Sequence, residues 1–511
     1  MGSLKAQTSL EIISGEKLYG DEVNKLTYIV KNVGFKHNGV TIYCDSAIRK
    51  LKEGIVEGYG HIYIFQQDTF TLSGGEYLRY EEATKVAVVT GKQVILNDRE
   101  MTLVTTALQY NTATQVGSYH NHADILSGEN TLKSQHGYYQ RRGSVFNFKE
   151  KVVLTSPQYT MYCDTLDYYA TTKTAYFQGP TKIVSKENTI TCNYGWYNTK
   201  TEQAQFSREA VIISDSTTIA ADSLLYDRKL GLGRGYGNIR LFDSANHIEV
   251  FGQKGLYREK TKETFITQQP LAIQTSDNDT FYVQADTFYY VNDSIRRQLH
   301  AWPHTALSQK DFQGRCDSLI YRFSDSTISL YRQPILWNQR NQITGDTMHI
   351  VLRNKRIQSL SVIDNAFLVS EIKPGYYNQI NGRTMINRFD SNKLKSVLVD
   401  GNAQSIYYLA DNETDSAEYT GVNKVACGKM LIEMKNGKVK GIRFYGQPDG
   451  KMYPVKDLPE NEKYLKGLSW QAEKKPDIES FLIRKKKRVL PPPIIEKKKE
   501  KPTPKKKKTK R

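Results

Sequence analysis

Hydrophobic and polar positions alternate in short runs along most of this chain, and one six-residue pattern recurs about every thirty residues. In the copy Cys163-Asp-Thr-Leu-Asp-Tyr168 the first position is small, the second acidic, the fourth leucine and the last tyrosine. A fixed period of this size is typical of repeat architectures. The last position of the best copies falls at steps of 29 to 33 residues: Tyr80, Tyr110, Tyr139, Tyr168, Tyr197, Tyr226, Tyr257, Tyr290 and Tyr321.

The segment after each copy has the pattern of two strands joined by a turn. Residues 174–184 and 85–96 are examples, rich in Val, Ile, Tyr, Phe and Thr and broken by Gly or Pro. Period-two alternation in such residues predicts β-strands. No long window before the C-terminal region shows helical spacing of apolar residues, so the body is predicted to be all-β.

One repeat of thirty residues cannot bury its own apolar face, whereas stacked copies cover each other. The pattern therefore predicts an elongated β-solenoid of about twelve repeats. Layers lie ~4.8 Å apart, so one or two layers per repeat would span roughly 60–110 Å.

The first position of the repeat is predicted to be small and buried. All five cysteines occupy it, while Gly, Ala, Ser or Thr fill it elsewhere. A free Cys behaves as a small hydrophobe in such a place. Cys163 and Cys192 lie in adjacent repeats, so a disulfide in an oxidising compartment is an open alternative. No C-x-x-C pair is present, which argues against a zinc site. The cysteines are Cys44, Cys163, Cys192, Cys316 and Cys427.

The second position is often acidic, which suggests either a ladder of functional carboxylates or a structural bend. An Asp followed by Thr or Ser suits a bend, where its side chain bonds local backbone N–H groups. Such a bend lets the first and fourth positions both face inward. No acidic site stands out as a catalytic pair would, so we expect no enzyme, no metal and no cofactor. The acids are Asp45, Glu76, Asp164, Asp222, Asp286, Asp317 and Asp346.

Two further motifs carry weak signals. His120, His122 and Asp124 lie on one short stretch, but no further metal ligand is evident, which favours an ordinary surface strand. Residues 231–237 hold four glycines at period two without the G-x-G-x-x-G spacing of a phosphate loop. These glycines are expected to share one strand face and to widen the interior there.

Charge is concentrated at the C-terminus. The chain carries a net charge of +18, and residues 474–511 hold 17 Lys and Arg against 4 Asp and Glu. Residues 484–511 are therefore predicted to form a disordered Lys/Pro-rich tail that contacts anionic envelope components rather than a specific nucleic acid. Residues 456–483 are expected to form a short helical cap or linker, and residues 1–9 an unstructured N-terminus. No apolar signal-peptide core or transmembrane run is visible.

The repeats resemble the OstA/LptA family of lipopolysaccharide transport proteins, above all its long multi-module members. The resemblance rests on residues 161–168, 219–227 and 282–289 and extends over residues 10–455. It implies two to three fused modules with an open β-jellyroll, or taco-like, fold. In this fold two sheets meet in a V, with an apolar groove along the axis.

The same resemblance implies a periplasmic bridge that carries lipopolysaccharide from the inner to the outer membrane, with the lipid A acyl chains in the groove. Implied partners are other jellyroll Lpt-type proteins, joined end to end by strand addition, and translocon components of both membranes. The alternatives are a structural or adhesive envelope solenoid without lipid transport, and a carbohydrate-active enzyme. The implied groove residues are Cys163, Leu166, Cys192, Ala221, Leu224, Ala285, Cys316 and Leu319.

Overall fold

The computed structural model describes residues 9–482, except 67–68, 99–100, 215, 277–278, 294, 311, 355, 391–392, 411–417, 436–437 and 478. These residues form one antiparallel sheet of 38 strands, which confirms the all-β prediction. Helical residues in this part are confined to 479–482 and to the 3-10 turns Val455–Asp457, Glu460–Glu462 and Ala472–Lys474. None of the described helices is long and apolar enough to span a membrane. The predicted tail, 484–511, lies outside the described residues.

The strands follow one another in chain order. They are β1 (Glu11–Ser14), β2 (Lys17–Asp21), β3 (Leu26–His37), β4 (Val40–Lys50), β5 (Ile55–Gln66), β6 (Phe70–Glu81), β7 (Val86–Asp98), β8 (Met101–Asn111), β9 (Val116–Tyr119), β10 (Ala123–Ser127), β11 (Asn130–Ser134), β12 (His136–Gln140), β13 (Val145–Thr155), β14 (Tyr159–Tyr169), β15 (Thr174–Ser185), β16 (Thr189–Asn198), β17 (Gln203–Ile213), β18 (Thr217–Asp227), β19 (Leu232–Asp243), β20 (Ile248–Arg258), β21 (Glu263–Thr267), β22 (Leu271–Ser276), β23 (Asp279–Gln284), β24 (Thr287–Asn292), β25 (Arg297–Trp302), β26 (Thr305–Gln309), β27 (Phe312–Cys316), β28 (Ser318–Arg322), β29 (Thr327–Tyr331), β30 (Ile335–Asn338), β31 (Asn341–Thr344), β32 (Thr347–Arg353), β33 (Arg356–Lys373), β34 (Tyr376–Asp390), β35 (Lys393–Ala410), β36 (Tyr419–Lys435), β37 (Lys438–Tyr445) and β38 (Asp449–Pro454).

Each layer, which we call a rung, is one long strand or two short strands in line, with a bend at its middle. In β13 the bend lies at Glu150 and Lys151, whose φ angles are 61° and 53°, and the pairing register shifts between Lys149 and Val152. Left-handed backbone at two successive residues is uncommon and turns the strand sharply. On the next rung the bend falls at the small and acidic positions of the repeat, Cys163 and Asp164. Each thirty-residue repeat therefore builds two rungs.

The bends divide the ladder into two sheets that face each other. Sheet I contains β21, β24, β25, β28, β29 and β32, and sheet II contains β22, β23, β26, β27, β30 and β31. The long strands contribute one half to each sheet, as β20 does by pairing with both β21 and β22. The 28 rungs follow the strand pairings directly and extend about 130 Å at ~4.8 Å per step. The expected span of 60–110 Å was too short.

The apolar interior between the sheets is divided into two large clusters. The first runs from Leu10 to Ile239, and the second from Ile266 to Ile432. Between them, Gly235 of β19 lies opposite Gly255 of β20. A Cβ at Gly235 would lie only 3.2 Å from Ile239 Cδ1, so this neighbour already fills part of the space. Gly231 lies in the turn before β19 and Gly237 at its bend, with φ angles of 65° and 69°, so the four glycines do not share one strand face and the expected widening is not seen.

Residues 455–482, which we call the strap, run back along the outer face of sheet II. Gln379 of β34 donates to the Lys463 carbonyl at 2.8 Å, and Gln342 of β31 donates to that of Ser469 at 2.6 Å. Phe481 is fully buried near the far end of the strap. The segment expected to be a cap or linker therefore lies along one side of the ladder. Phe481 packs with Phe251, Leu271, Ile273, Ala306 and Tyr282.

Candidate functional site

The small and leucine positions of the repeat lie in the interior. In β14, Cys163 and Leu166 are buried while Asp164 between them is exposed, so the bend turns both inward as expected. The predicted groove residues of the N-terminal half, Cys163, Leu166, Cys192, Ala221 and Leu224, belong to the first core cluster. The remaining three, Ala285, Cys316 and Leu319, belong to the second. Their places are known, whereas their contact with a ligand stays a prediction.

The five thiols are free and buried. Burial raises the pKa of Cys163 to about 12 and the pKa of Cys192 to about 11, because desolvation disfavours the thiolate. A neutral thiol is a poor nucleophile and a poor metal ligand. These cysteines therefore act as small core side chains.

The acidic positions lie outside, along the corner where the two sheets meet. Five of the seven carboxylates bond side chains of the next rung, not the local backbone N–H groups that the sequence suggested, while Asp164 accepts from Oγ1 of the adjacent Thr165 at 3.3 Å. The closest contacts are Asp45 to His61 and Asp286 to His304 at 2.7 Å, Asp346 to Asn365 at 2.9 Å, Asp222 to Asn238 at 3.0 Å and Asp317 to Arg332 at 3.2 Å. These acids thus join successive bends.

Metal binding finds no support at these acids or at the histidines. Within the described residues, no three His, Cys, Asp or Glu side chains are grouped so that they would hold a metal ion. His122 lies 3.6 Å from Asp124, which also contacts Lys133 at 3.1 Å. His136 lies on a neighbouring rung and pairs with Glu150 instead. The arrangement is that of a surface strand with exposed ion pairs.

Opposite the corner, the V has a mouth, and three buried tyrosine pairs close it over the N-terminal rungs. The Tyr80 hydroxyl lies 2.7 Å from Nδ1 of His37, and Tyr110 donates to Oε1 of Gln66 at 2.5 Å. Tyr139 donates to Asp98, which also accepts from Nε of Arg141 at 3.0 Å. Each pair joins a sheet I strand end to a sheet II strand end. We call these three pairs the latches.

Burial makes the latches strong polar contacts. Desolvation raises the pKa of Tyr80 and of Tyr110, so both phenols stay protonated and able to donate. Gln66 uses its other polar atom as well, since Nε2 donates to the Thr112 carbonyl at 3.0 Å. Breaking such a bond leaves a buried partner unsatisfied, at a cost of about 1–3 kcal/mol.

Sequence reasoning missed the latches, although a signal was present. His37, Gln66 and Asp98 each end a sheet II strand at an inward position where the alternation calls for an apolar residue. They recur at nearly the period of the tyrosines. A polar residue at an inward strand end, in step with a tyrosine one and a half repeats later, indicates a bond across the mouth.

Beyond the latches, apolar side chains at the mouth become partly exposed. On rungs β5 to β7 the inward residues Ile64, Leu72 and Leu96 are 0% exposed. From β13 to β23 more than half of the corresponding residues are only partly buried, whereas Met161, Ile183, Ala272 and Val283 stay buried, and we call this stretch of the mouth the window. We call the two rows of strand ends that face each other across the window its lips. They include Phe146, Leu154, Tyr168, Ile190, Tyr197, Ile212, Ile219, Val250 and Phe281.

The two lips of the window touch at a few weaker contacts. The rings of Tyr159 and Tyr197 meet edge to face with 6.4 Å between centroids. The exposed side chains of Gln158 and Arg228 form a hydrogen bond across the turns, and Arg297 lies 3.8 Å from Asp243. Surface ion pairs and aromatic edges contribute about 1 kcal/mol or less each. The window is therefore the part of the mouth that separates most easily.

Comparison with protein-family models matches residues 10–164 and 159–222 to the OstA-like protein family. These residues contain the latches and the first rungs of the window. Among solved structures, LptH of Pseudomonas aeruginosa, described as the LptA homologous periplasmic component of the conserved lipopolysaccharide transport device, is similar at 14% identity with a TM-score of 0.21. The match covers 23% of this chain and 82% of LptH. No match was found among curated protein sequences.

Proposed function

We propose that this chain, which belongs to the OstA/LptA-like family over residues 10–222, is a periplasmic bridge that carries lipopolysaccharide between the two membranes. The acyl chains lie between the two sheets, and the lips of the window admit them. The change from fully buried to partly exposed apolar residues along the mouth carries this proposal. The bridge needs no catalytic step, because it only shields an apolar group from water.

The energetics favour entry at the window. Each acyl methylene removed from water contributes about 0.8 kcal/mol. Two or three methylenes therefore offset the contacts between Tyr159 and Tyr197 and between Gln158 and Arg228. Opening a latch instead leaves buried polar groups unpaired at about 1–3 kcal/mol for each group.

The ends of the ladder support assembly with partners of the same fold. Among the described strands, β1 and β2 at the N-terminal end pair only with β3, and β37 and β38 at the C-terminal end pair only with β36. Their outer edges offer backbone N–H and C=O groups to a further strand. Other jellyroll proteins of the transport path, and through them the translocon components, are the proposed partners.

A structural or adhesive envelope solenoid is the second candidate function. The densely filled interior favours it, since residues such as Leu78, Val89 and Met385 are 0% exposed and leave little free space between the sheets. A closed solenoid of this kind would keep its lips together and bind no lipid.

A photoreactive residue at Ile219 distinguishes the two functions in cells that make lipopolysaccharide. Ile219 faces the window, whereas Thr218, one position earlier on β18, faces outward and is the matched control. Crosslinking of lipopolysaccharide from position 219 and not from 218 supports the bridge. Absence of the adduct at 219, with the protein folded and in the periplasm, rules it out in favour of the closed solenoid.

A further inference from the structure

A surface depression of about 910 Å³ lies on the outer face of sheet I, close to the corner. It extends over the rungs of β25, β28, β29 and β32. On these rungs Ala301, Leu319 and Leu330 are buried in the second core cluster, so the side chains that alternate with them face outward. The depression is therefore separate from the interior between the sheets and from the window.

Two aromatic side chains, Trp302 of β25 and Tyr331 of β29, form opposite walls of this depression. Ser318 of β28 lies between them, because it pairs with Tyr331 and because the pairing of Ala301 with Leu319 places Trp302 beside it. Two ladder steps, or about 9.6 Å, separate the walls. A ring that touches both walls at van der Waals distance needs about 7–8 Å. We call the space between Trp302 and Tyr331 the cleft.

The Tyr331 wall is held in place by its neighbours. Its ring meets the ring of His349 edge to face with 6.4 Å between centroids, and Nδ1 of His349 lies 2.9 Å from Oγ of Ser329. A wall that is already ordered loses little conformational freedom when a ligand binds.

Trp302 differs from the other three tryptophans of the chain. Trp196 and Trp337 each donate through Nε1 to a glutamine, at 2.9 Å and 3.3 Å, and Trp470 packs on a tyrosine ring with 5.6 Å between centroids. Within the part of the chain that the structure describes, Trp302 has neither a hydrogen bond through Nε1 nor an aromatic neighbour. Its apolar ring and its N–H donor are both available to a ligand.

His300 supplies a second polar group without a partner. It lies two positions before Trp302 on β25, so both side chains face the same way, and it lines the depression. Its Nε2 is buried and has no hydrogen-bond partner among the described residues. Burial and the nearby Arg322 lower the pKa of His300, which keeps the ring neutral at pH 7. A hydroxyl group in the cleft would satisfy this nitrogen.

The rim of the cleft is polar without an excess of positive charge. Arg332 is the one basic residue of the lining, and it already forms an ion pair with Asp317 at 3.2 Å. Asp346 adds a second carboxylate, while Ser318 and Thr347 add hydroxyl groups. This combination disfavours a phosphate or another anion. It suits a ligand whose groups both donate and accept hydrogen bonds, as alcohols do.

We propose that the cleft binds a pyranose ring of a glycan. The C–H faces of the sugar pack on Trp302 and Tyr331, and its hydroxyl groups bond the polar groups of the rim and Nε2 of His300. The inference goes beyond the proposed function, because the cleft lies outside the two sheets and does not require acyl chains at the window. The sugar chain of lipopolysaccharide and a separate envelope polysaccharide both present such rings.

Binding of two glycans to the full chain and its variants tests this proposal. The probes are the lipid-free polysaccharide that mild acid releases from lipopolysaccharide, and dextran, a neutral glucan. Trp302→Ala removes one wall, whereas Ser318→Leu keeps both walls and fills the space between them. Trp302→Phe retains a ring at the wall. Trp196→Ala is the matched control, because Trp196 lies on the same outer face seven rungs away and does not line the depression.

We expect Trp302→Ala and Ser318→Leu to weaken glycan binding at least tenfold, while Trp196→Ala binds within twofold of the native chain. Tenfold corresponds to about 1.4 kcal/mol, which the loss of one buried aromatic contact supplies. Glycan should also change the tryptophan fluorescence of the native chain. Trp302→Phe should retain most of the affinity and lose this change. Melting curves of each variant show whether it is folded.

Other outcomes overturn the inference. If neither glycan binds the native chain, the cleft is not a sugar site. Equal losses in Trp302→Ala and Trp196→Ala refute the assignment to the cleft. Binding of the released polysaccharide alone identifies the sugar chain of lipopolysaccharide as the ligand, and binding of dextran as well supports a general glycan site.

A fluorescent acyl probe, measured on the same proteins, keeps this test apart from the proposed function. Acyl binding without glycan binding refutes the cleft and leaves the bridge. Glycan binding without acyl binding refutes the bridge and leaves the cleft. Trp302→Ala is expected to bind the acyl probe as the native chain does, since Trp302 lies outside the interior.

Discussion

The hydroxyl of Tyr110 donates a 2.5 Å hydrogen bond to Oε1 of Gln66, which lies 44 residues earlier on the opposite sheet. Both side chains are buried, and Phe70 stacks on the tyrosine ring at 4.4 Å between centroids. This bond is the second of the three latches along the chain. Like the other two latches, it ties together at the mouth two sheets whose strands are joined covalently at the corner.

Tyr110→Phe is expected to lower the free energy of unfolding of the N-terminal rungs by about 1–3 kcal/mol, since Oε1 of Gln66 loses its donor. Tyr138→Phe is the matched control, because Tyr138 is 41% exposed and faces outward, so a change below about 0.5 kcal/mol is expected. Urea unfolding followed by hydrogen exchange in β5 to β8 measures both. Equal effects of the two substitutions would contradict the latch.

Covalently joining the lips should abolish lipid binding. Cysteines replacing Tyr159 and Tyr197, whose rings meet across the window, can be linked by a short bifunctional reagent. The buried native thiols resist the reagent in the folded protein, because burial raises their pKa. The same pair left unlinked is the control. Retention of a fluorescent acyl probe by the linked protein would show that lipid does not enter here.

The free energy of unfolding should fall as the pH rises above about 9. The pKa of Cys163 is raised from 9.0 to about 12, so the unfolded chain loses its thiol proton first. Stability is complete below the unfolded value and declines as the pH approaches 12. Cys163→Ala should flatten this decline, because Ala221 and Ala285 show that alanine fits the position. Urea unfolding at pH 8 and pH 10.5 gives the pH dependence of the free energy of unfolding for the native chain and for Cys163→Ala. An identical dependence in the two proteins would show that burial does not raise the pKa of Cys163.

Asp286→Asn should change the melting temperature little and should leave lipid binding unchanged. The carboxylate lies 2.7 Å from Nδ1 of His304, but both side chains are at least half exposed, and exposed pairs contribute about 1 kcal/mol or less. Adding calcium or a chelator should likewise leave the melting curve unchanged. A large loss of stability, or a shift of the melting temperature with calcium, would instead support the alternative that these carboxylates form a functional ladder.

The repeat was predictable because it is local. The spacing of Cys163 and Leu166, with an acid between them, indicates a bend, and stacking follows from the period. The alternation along each strand then determines which side chains face inward. The bend, the repeat period and the strand alternation all indicate the same structure, so the fold class and the buried positions could be predicted from the sequence.

The latches and the strap were not predictable in this way, because they join residues far apart in sequence. Gln342 meets Gln471, 129 positions later, and nothing local specifies that contact. A partial signal exists in the runs Leu271-Ala-Ile273 and Phe367-Leu-Val369, which are apolar at every position. Continuous apolar runs indicate strands buried on both faces, so something had to cover sheet II.

The facing glycines at Gly235 and Gly255 separate the two core clusters while the hydrogen-bonded ladder continues through them. In a solenoid, cooperativity passes between neighbouring rungs mainly through inward side chains, and Gly235 and Gly255 supply none at this joint. The molecule should therefore melt as two thermodynamic units on one unbroken backbone ladder. The joint is expected to transmit shape but little stability, so that one half can loosen while the other half stays rigid.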